Sequence, residues 1–96
     1  MSLVFRREAQ LEFDQAAKWY ERQRPGLGAE FVNEIRRVLE IISEHPSQYP
    51  FAEGDVRVAY VRRFPFSVYF RVKTDRTVII AVFHTSRDSS IWHERS

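Results

Sequence analysis

Ninety-six residues with 44% hydrophobic content, eight Phe, four Tyr and two Trp are enough for one folded domain over 1–96 and exclude a disordered chain. The absence of Cys excludes disulfides and thiolate chemistry and suits a reducing cytoplasm, while no apolar run approaches the roughly 18 residues of a membrane span and the N-terminus lacks a signal-peptide pattern. The net charge of +2 divides unevenly, with −3 on residues 1–55 and +5 on residues 56–96. The second half is therefore either a basic surface suited to nucleic acid or an acidic protein, or a solvated sheet face with ordinary arginine content.

Leu3-Val-Phe5 reads as a short strand. From Arg7 to Arg24, the residues Ala9, Phe13, Ala16, Ala17 and Tyr20 recur on one helical face, and Arg24-Pro25-Gly26 stops the run. From Leu27 to Glu44, the residues Phe31, Ile35, Val38, Leu39 and Ile42 repeat that spacing. His45-Pro46 ends the second helix because the residue before proline disfavours α geometry. Two helices joined by so short a turn predict an antiparallel helical hairpin.

Residues 46–55 contain Pro46, Pro50 and Gly54 and read as a loop. The period then changes to two. Val56, Val58 and Tyr60 alternate with Arg57, Ala59 and Val61, and Phe64-Pro65 interrupts. Phe66, Val68, Phe70 and Val72 alternate with Ser67, Tyr69, Arg71 and Lys73. After a turn at residues 74–76, residues 77–85 are apolar on both faces, as in a strand buried on both sides. The expected fold is α+β, in the order β-α-α-β-β-β, with the hairpin packed on a small antiparallel sheet.

Several residue groups carry candidate chemistry. Arg57, Arg71 and Lys73, with Tyr69 in the same alternating set, are expected on the face away from Val58 and Phe70. With Arg62 they form a basic, aromatic surface for phosphates, bases or an acidic peptide. The basic and aromatic ending His84, Arg87, Trp92, His93 and Arg95 follows the last strand. Phosphodiester cleavage needs a base, an acid and a cation, and His84, His93, Arg87 and Arg63 are of the right types. A histidine at a strand end is also commonly a structural hydrogen-bonding residue. Trp19, beside the apolar stripe, is either a packing residue or partner surface. Glu40 and Glu44, four residues apart on the second helix, read as a solvated face. No metal-ligand spacing and no glycine-rich phosphate loop is present, so neither a metal nor a cofactor is expected.

The chain combines Ala16-Ala-Lys-Trp-Tyr20, Pro25-Gly-Leu-Gly28 with Phe31, Pro46-Ser-Gln-Tyr-Pro50, Val56-Arg57, Arg63-Phe-Pro-Phe66 with Val68-Tyr-Phe70, and His84 with Arg87, Trp92 and Arg95. In this ordered set it resembles the RelE/ParE superfamily of type II toxin–antitoxin toxins, often labelled plasmid stabilisation proteins. The resemblance covers residues 5–95. It implies a helical hairpin on an antiparallel sheet, and a bacterial cytoplasmic toxin that arrests growth. A cognate antitoxin would wrap an extended or helical segment around it in a hetero-oligomer.

Activity divides that superfamily. RelE-like members cut mRNA in the ribosomal A site, and ParE-like members poison DNA gyrase. By resemblance, the RelE-type lysine pair falls near Val58 and Tyr60, the strand arginine near Ser67 and the C-terminal tyrosine near His93, so Arg87 alone is kept. The long hairpin with Trp19-Tyr20 and the ending with His84, Arg87 and Trp92 look more ParE-like. The expectation is a gyrase inhibitor without chemistry of its own. The alternatives are a ribosome-dependent endoribonuclease, in which Arg63 and Arg87 hold phosphate and His84 or His93 moves protons, and an inactive member that only binds its antitoxin.

Overall fold

The computed structural model describes residues 2–86. Its elements are β1 (Ser2–Phe5), α1 (Arg7–Gln23), α2 (Leu27–Glu44), a 3₁₀ turn (Pro46–Gln48), β2 (Phe51–Glu53), β3 (Val56–Tyr60), β4 (Phe66–Val72) and β5 (Arg76–His84). The helical hairpin and the last three strands agree with the periodicities to within a residue or two. The segment 46–55 does not stay a loop. Pro46 starts the 3₁₀ turn, and Phe51–Glu53 adds a short edge strand to β3.

The sheet has the order β1-β5-β4-β3-β2. It is mixed, a departure from the all-antiparallel expectation. β2 through β5 pair antiparallel, whereas β1 runs parallel to β5, with Leu3 opposite Thr77 and Phe5 opposite Ile79. The β1–β5 connection passes through both helices, which is the long crossover that parallel neighbours require.

Both helices lie against one sheet face. Ala9 of α1 and Phe31, Ile35, Val38, Leu39 and Ile42 of α2 join Ala59, Val61, Phe64, Phe66, Val68, Phe70, Ile79 and Val82 in one core. Phe31 sits at the centre of an aromatic cluster, about 5 Å from the rings of Tyr20, Phe64 and Phe66. Apolar burial at about 25 cal/mol per Å² makes such a cluster the main source of stability.

The turn between the helices is built for close approach. Gly26 has φ +89°, a left-handed conformation that L residues avoid. The Glu21 carboxylate accepts hydrogen bonds from the Gly26 and Gly28 amides at 3.0 Å, so an anion sits at the positive N-terminus of α2. A Cβ on Gly28 would lie 2.7 Å from the Ala17 carbonyl oxygen, and only glycine lets the helices meet there.

A bulge explains the two apolar faces of β5. Phe70 pairs with Ile79 but Tyr69 pairs with Ala81, leaving Ile80 as the extra residue. The alternation therefore changes parity. Thr77 and Ile79 face the helices before the bulge, and Val82 faces them after it, paired with Val68. Val56, Ile80, Ala81 and Phe83, with Tyr69 packed against them, form a second cluster on the opposite face.

Candidate functional site

The parity change decides where His84 goes. His84 pairs with Phe66 and so falls on the helix side of the sheet, its ring edge-on to Phe66 at 5.3 Å. The Ser86 amide donates to His84 Nδ1 at 3.1 Å, and Ser86 Oγ lies 2.8 Å from the same atom. The amide contact makes Nδ1 an acceptor and puts the proton of the neutral ring on Nε2. His84 borders an apolar hollow of about 460 Å³ together with Ala16, Trp19 and Tyr20 of α1 and Pro65 and Phe66 of β4 and its approach. Trp19 is half exposed and stands edge-on to Tyr20 at 5.1 Å. It thus both packs and lines the hollow. Burial pushes the Tyr20 phenol up from its ordinary pKa, so Tyr20 stays neutral there.

Arg63 is held elsewhere. Its guanidinium donates to Glu30 at 2.6 Å, and Arg24 donates to the other oxygen of that carboxylate at 3.2 Å. The Arg63 hydrogen bond outweighs desolvation and, with Arg24, holds the Glu30 carboxyl below its ordinary range. Arg63 is raised in turn by Glu30. This fork ties the helical turn to the β3–β4 connection. Among the described contacts, His84 meets the Phe66 ring and Ser86, while Arg63 is engaged by Glu30.

Arg57 is not on the open face as alternation alone suggests. It pairs with Phe70, whose side chain faces the helices, so Arg57 shares that side. There it donates to the Tyr49 carbonyl at 2.6 Å and the Ser47 carbonyl at 3.3 Å and covers the Phe51 ring at 3.9 Å. The reason is that β3 is apolar in both alternating sets, and pairing with β4 selects Ala59 and Val61 for the core. Arg62 is exposed beside α2, in a groove with Tyr60, Ile41 and Arg37.

Tyr69 and Arg71 do lie on the open face, opposite Val58 and Val56. Arg71 donates to Asp55 at 3.0 Å, which together with charge attraction lowers the Asp55 carboxyl pKa despite some desolvation. Lys73 follows the end of β4, in the turn to β5 where its amide donates to the Arg76 carbonyl. Among the described residues the open face is thus an apolar and tyrosine surface that carries Arg71 and, near enough to act on the same Asp55 carboxylate, Lys73. Arg87, Trp92, His93 and Arg95 lie outside the described residues. Among the described residues, no three His, Asp or Glu side chains converge as metal ligands, and no helix is long and apolar enough to cross a membrane.

Sequence reasoning missed three devices: the Glu21 cap, the Glu30 fork and the hydrogen bond from the Val82 amide to Glu12 Oε1 at 3.0 Å. The last joins α1 to the strand that carries His84. Only the Glu21 cap left a local trace, an acid shortly before Pro25-Gly26.

The family model for the ParE toxin of the type II toxin–antitoxin system parDE matches residues 3–89. The chain belongs to the ParE toxin family. Among solved structures, a chain of the chromosomal ParDE toxin–antitoxin system from P. aeruginosa is similar, with 26% identity and a TM-score of 0.78 over 88% of this chain and 95% of that one. No curated protein matches. Within the wider RelE/ParE superfamily, these likenesses place the chain on the ParE side, as a type II toxin component.

Proposed function

We propose that this ParE-family chain arrests growth by binding and inhibiting DNA gyrase in the cytoplasm, and that a cognate antitoxin neutralises it in a hetero-oligomer. One observation carries the choice of target. Val58, Tyr60 and Ser67 are the positions where the ribonuclease branch would carry cations. They share the open sheet face, with Tyr60 directly opposite Ser67 and Val58 opposite Tyr69. None bears a charge, and Val58 and Ser67 are buried. A scissile phosphate approaching this face meets no cation at these three positions to balance its developing charge. The apolar hollow beside Trp19 and His84 suits protein contact better than phosphate chemistry.

Ribosome-dependent mRNA cleavage is the second reading, favoured by the exposed position of His84 at the end of β5. Inducible expression followed by parallel assays of gyrase supercoiling and of mRNA 5′ ends separates the two. The gyrase reading expects inhibited supercoiling with intact mRNA. Codon-phased cuts that vanish in Arg87→Ala overturn it. Growth without any defect leaves a member that only binds its antitoxin.

A further inference from the structure

The two edges of the sheet are unlike. At one, β2 is three residues long, follows Pro50, carries Glu53 and has an irregular register between Phe51 and Glu53. Proline, charge and bulges guard a sheet edge against further strands. At the other, β1 is Ser-Leu-Val-Phe, with no charge, no proline and an unbroken register on β5. The Arg6 amide donates to the Ile79 carbonyl at 2.9 Å. Backbone direction alternates along a strand, so Ser2 and Val4 also point to β5, and the N–H and C=O of Leu3 and Phe5 point outward. Those four groups have no backbone partner among the described residues.

The side chains around this edge complement their own image. Leu3 and Phe5 pack on the helix side, and Val4, 45% exposed, stands on the other face. A cleft of about 410 Å³ lies between the start of β1 and α2, lined by Ser2, Leu3, Arg36, Leu39, Glu40 and Ser43. Its charged lining is one cation and one anion. Arg36 and Glu40 are both exposed, and neither makes an ion pair among the described residues. The cleft therefore has no net charge to repel a second copy of itself. By the same count it offers an acidic or a basic peptide no net attraction.

We infer that two copies of this chain join through the outer edges of β1, paired antiparallel about a two-fold axis at Val4. Leu3 of one copy then lies opposite Phe5 of the other. Each such pair exchanges two hydrogen bonds, so all four outward groups of both copies are satisfied. An axis at Leu3 or at Phe5 leaves one of the two residues opposite a position beyond the strand. Val4 meets Val4 of the second copy in the closer, non-hydrogen-bonded kind of pair and loses its exposure. Arg6 of each copy falls opposite Ser2 of the other. The two Arg6 residues stand about 13 Å apart along the strands, beyond the screening length of about 8 Å at physiological salt. The two five-stranded sheets become one. The inference stands apart from the choice between gyrase and mRNA, since it uses neither His84 nor the hollow beside Trp19.

The test is self-association of the purified chain. The interface is small, so a dissociation constant of about 0.1–1 mM is expected, and sedimentation up to about 2 mM covers it. The mean mass should rise toward twice that of the monomer. Amide exchange of Leu3 and Phe5 should slow about three- to sevenfold at the top of that range, in proportion to the monomer left. The Val4 amide, already turned to β5, should change less. Val4→Lys sets two ammonium groups face to face and abolishes association. The chain has no cysteine, so Val4→Cys should form an intermolecular disulfide under mild oxidation, whereas Tyr60→Cys, on β3 and more exposed, should not. A chain that stays monomeric throughout overturns the proposal. So does exchange slowed elsewhere but not at Leu3 and Phe5, undiminished association of Val4→Lys, or equal cross-linking of the two cysteine variants.

Discussion

The Glu12 carboxylate takes the place of a strand for Val82. β1 stops at Phe5, opposite Ile79, and the Arg6 amide donates to the Ile79 carbonyl as the chain turns into α1. Beyond the bulge, Val82 lies opposite Val68 while the Thr85 amide donates to the Pro65 carbonyl. That register turns the Val82 N–H away from β4 and toward the edge that β1 has left. Glu12, less than two turns into α1, reaches it at 3.0 Å.

Removing that acceptor leaves a part-buried amide without its partner. Glu12→Ala is expected to cost about 1–3 kcal/mol, and Glu12→Gln, which keeps a carbonyl oxygen, clearly less. Denaturant unfolding measures both. Equal losses in the two variants rule out the hydrogen bond as the cause. In the Ala variant, exchange of the Val82 amide should accelerate more than that of the β4 amides.

Gly28 sets two effects of opposite sign against each other. Alanine gains about 1 kcal/mol of helix propensity over glycine in a helix interior. Its Cβ would, however, sit 2.7 Å from the Ala17 carbonyl and 2.9 Å from Glu21 Oε1, and a backbone oxygen held in α1 does not retreat freely. Overpacking of this kind costs about 1–3 kcal/mol, so Gly28→Ala is expected to destabilise. A raised melting temperature refutes the close contact. Gly26→Ala meets open space, and its loss comes from the positive φ instead.

The Glu30 fork gives stability a pH dependence of defined sign. The folded carboxyl is held below the ordinary glutamate value of 4.5, so the unfolded state takes up protons first as acid is added. The contribution is fully present above that value and is lost as pH falls through the lowered folded one. The melting-temperature gap between wild type and Glu30→Gln should therefore close across that acid window. Added salt should narrow it at neutral pH, since the pair is solvent-exposed. A gap that stays constant from neutral pH to acid removes the ion pair from the account.

Phe31 and Phe51 should behave as opposites. Phe31 is fully buried among Phe13, Tyr20, Phe64 and Phe66, and truncation to Ala is expected to cost about 3–5 kcal/mol. That is a large share of the roughly 5–15 kcal/mol available to a small domain. Phe51 is 57% exposed under the Arg57 guanidinium, and Phe51→Ala should cost no more than about 1 kcal/mol. Chemical denaturation of the two variants side by side checks the ranking.

The helices were legible because their apolar residues repeat at 3.6 and their ends carry Pro25, Gly26 and Pro46. β4 was legible because Phe66, Val68 and Phe70 alternate with Ser67 and Arg71. β3 was harder. Both of its alternating sets are apolar, so only pairing with β4 shows that Ala59 and Val61 face the helices and carry Arg57 with them. In β5, the Ile80 bulge hides inside an unbroken apolar run, and the side on which His84 falls depends on it. Glu12 and Glu30 make contacts with residues 70 and 33 positions away, a separation that leaves no local periodicity to read. The candidate site therefore follows from pairing geometry more than from residue types.

The strand order has a consequence in time. β5 is made after every other described element, yet it lies between β1 and β4. The helical hairpin and the β3–β4 pair need only near neighbours in the chain, and such local contacts form early. The sheet has a gap between its first and fourth strands until β5 arrives to fill it. A nascent chain shorter than His84 therefore lacks both the joined sheet and the strand that presents the histidine. Any activity that depends on that end of the sheet stays latent until synthesis has passed it.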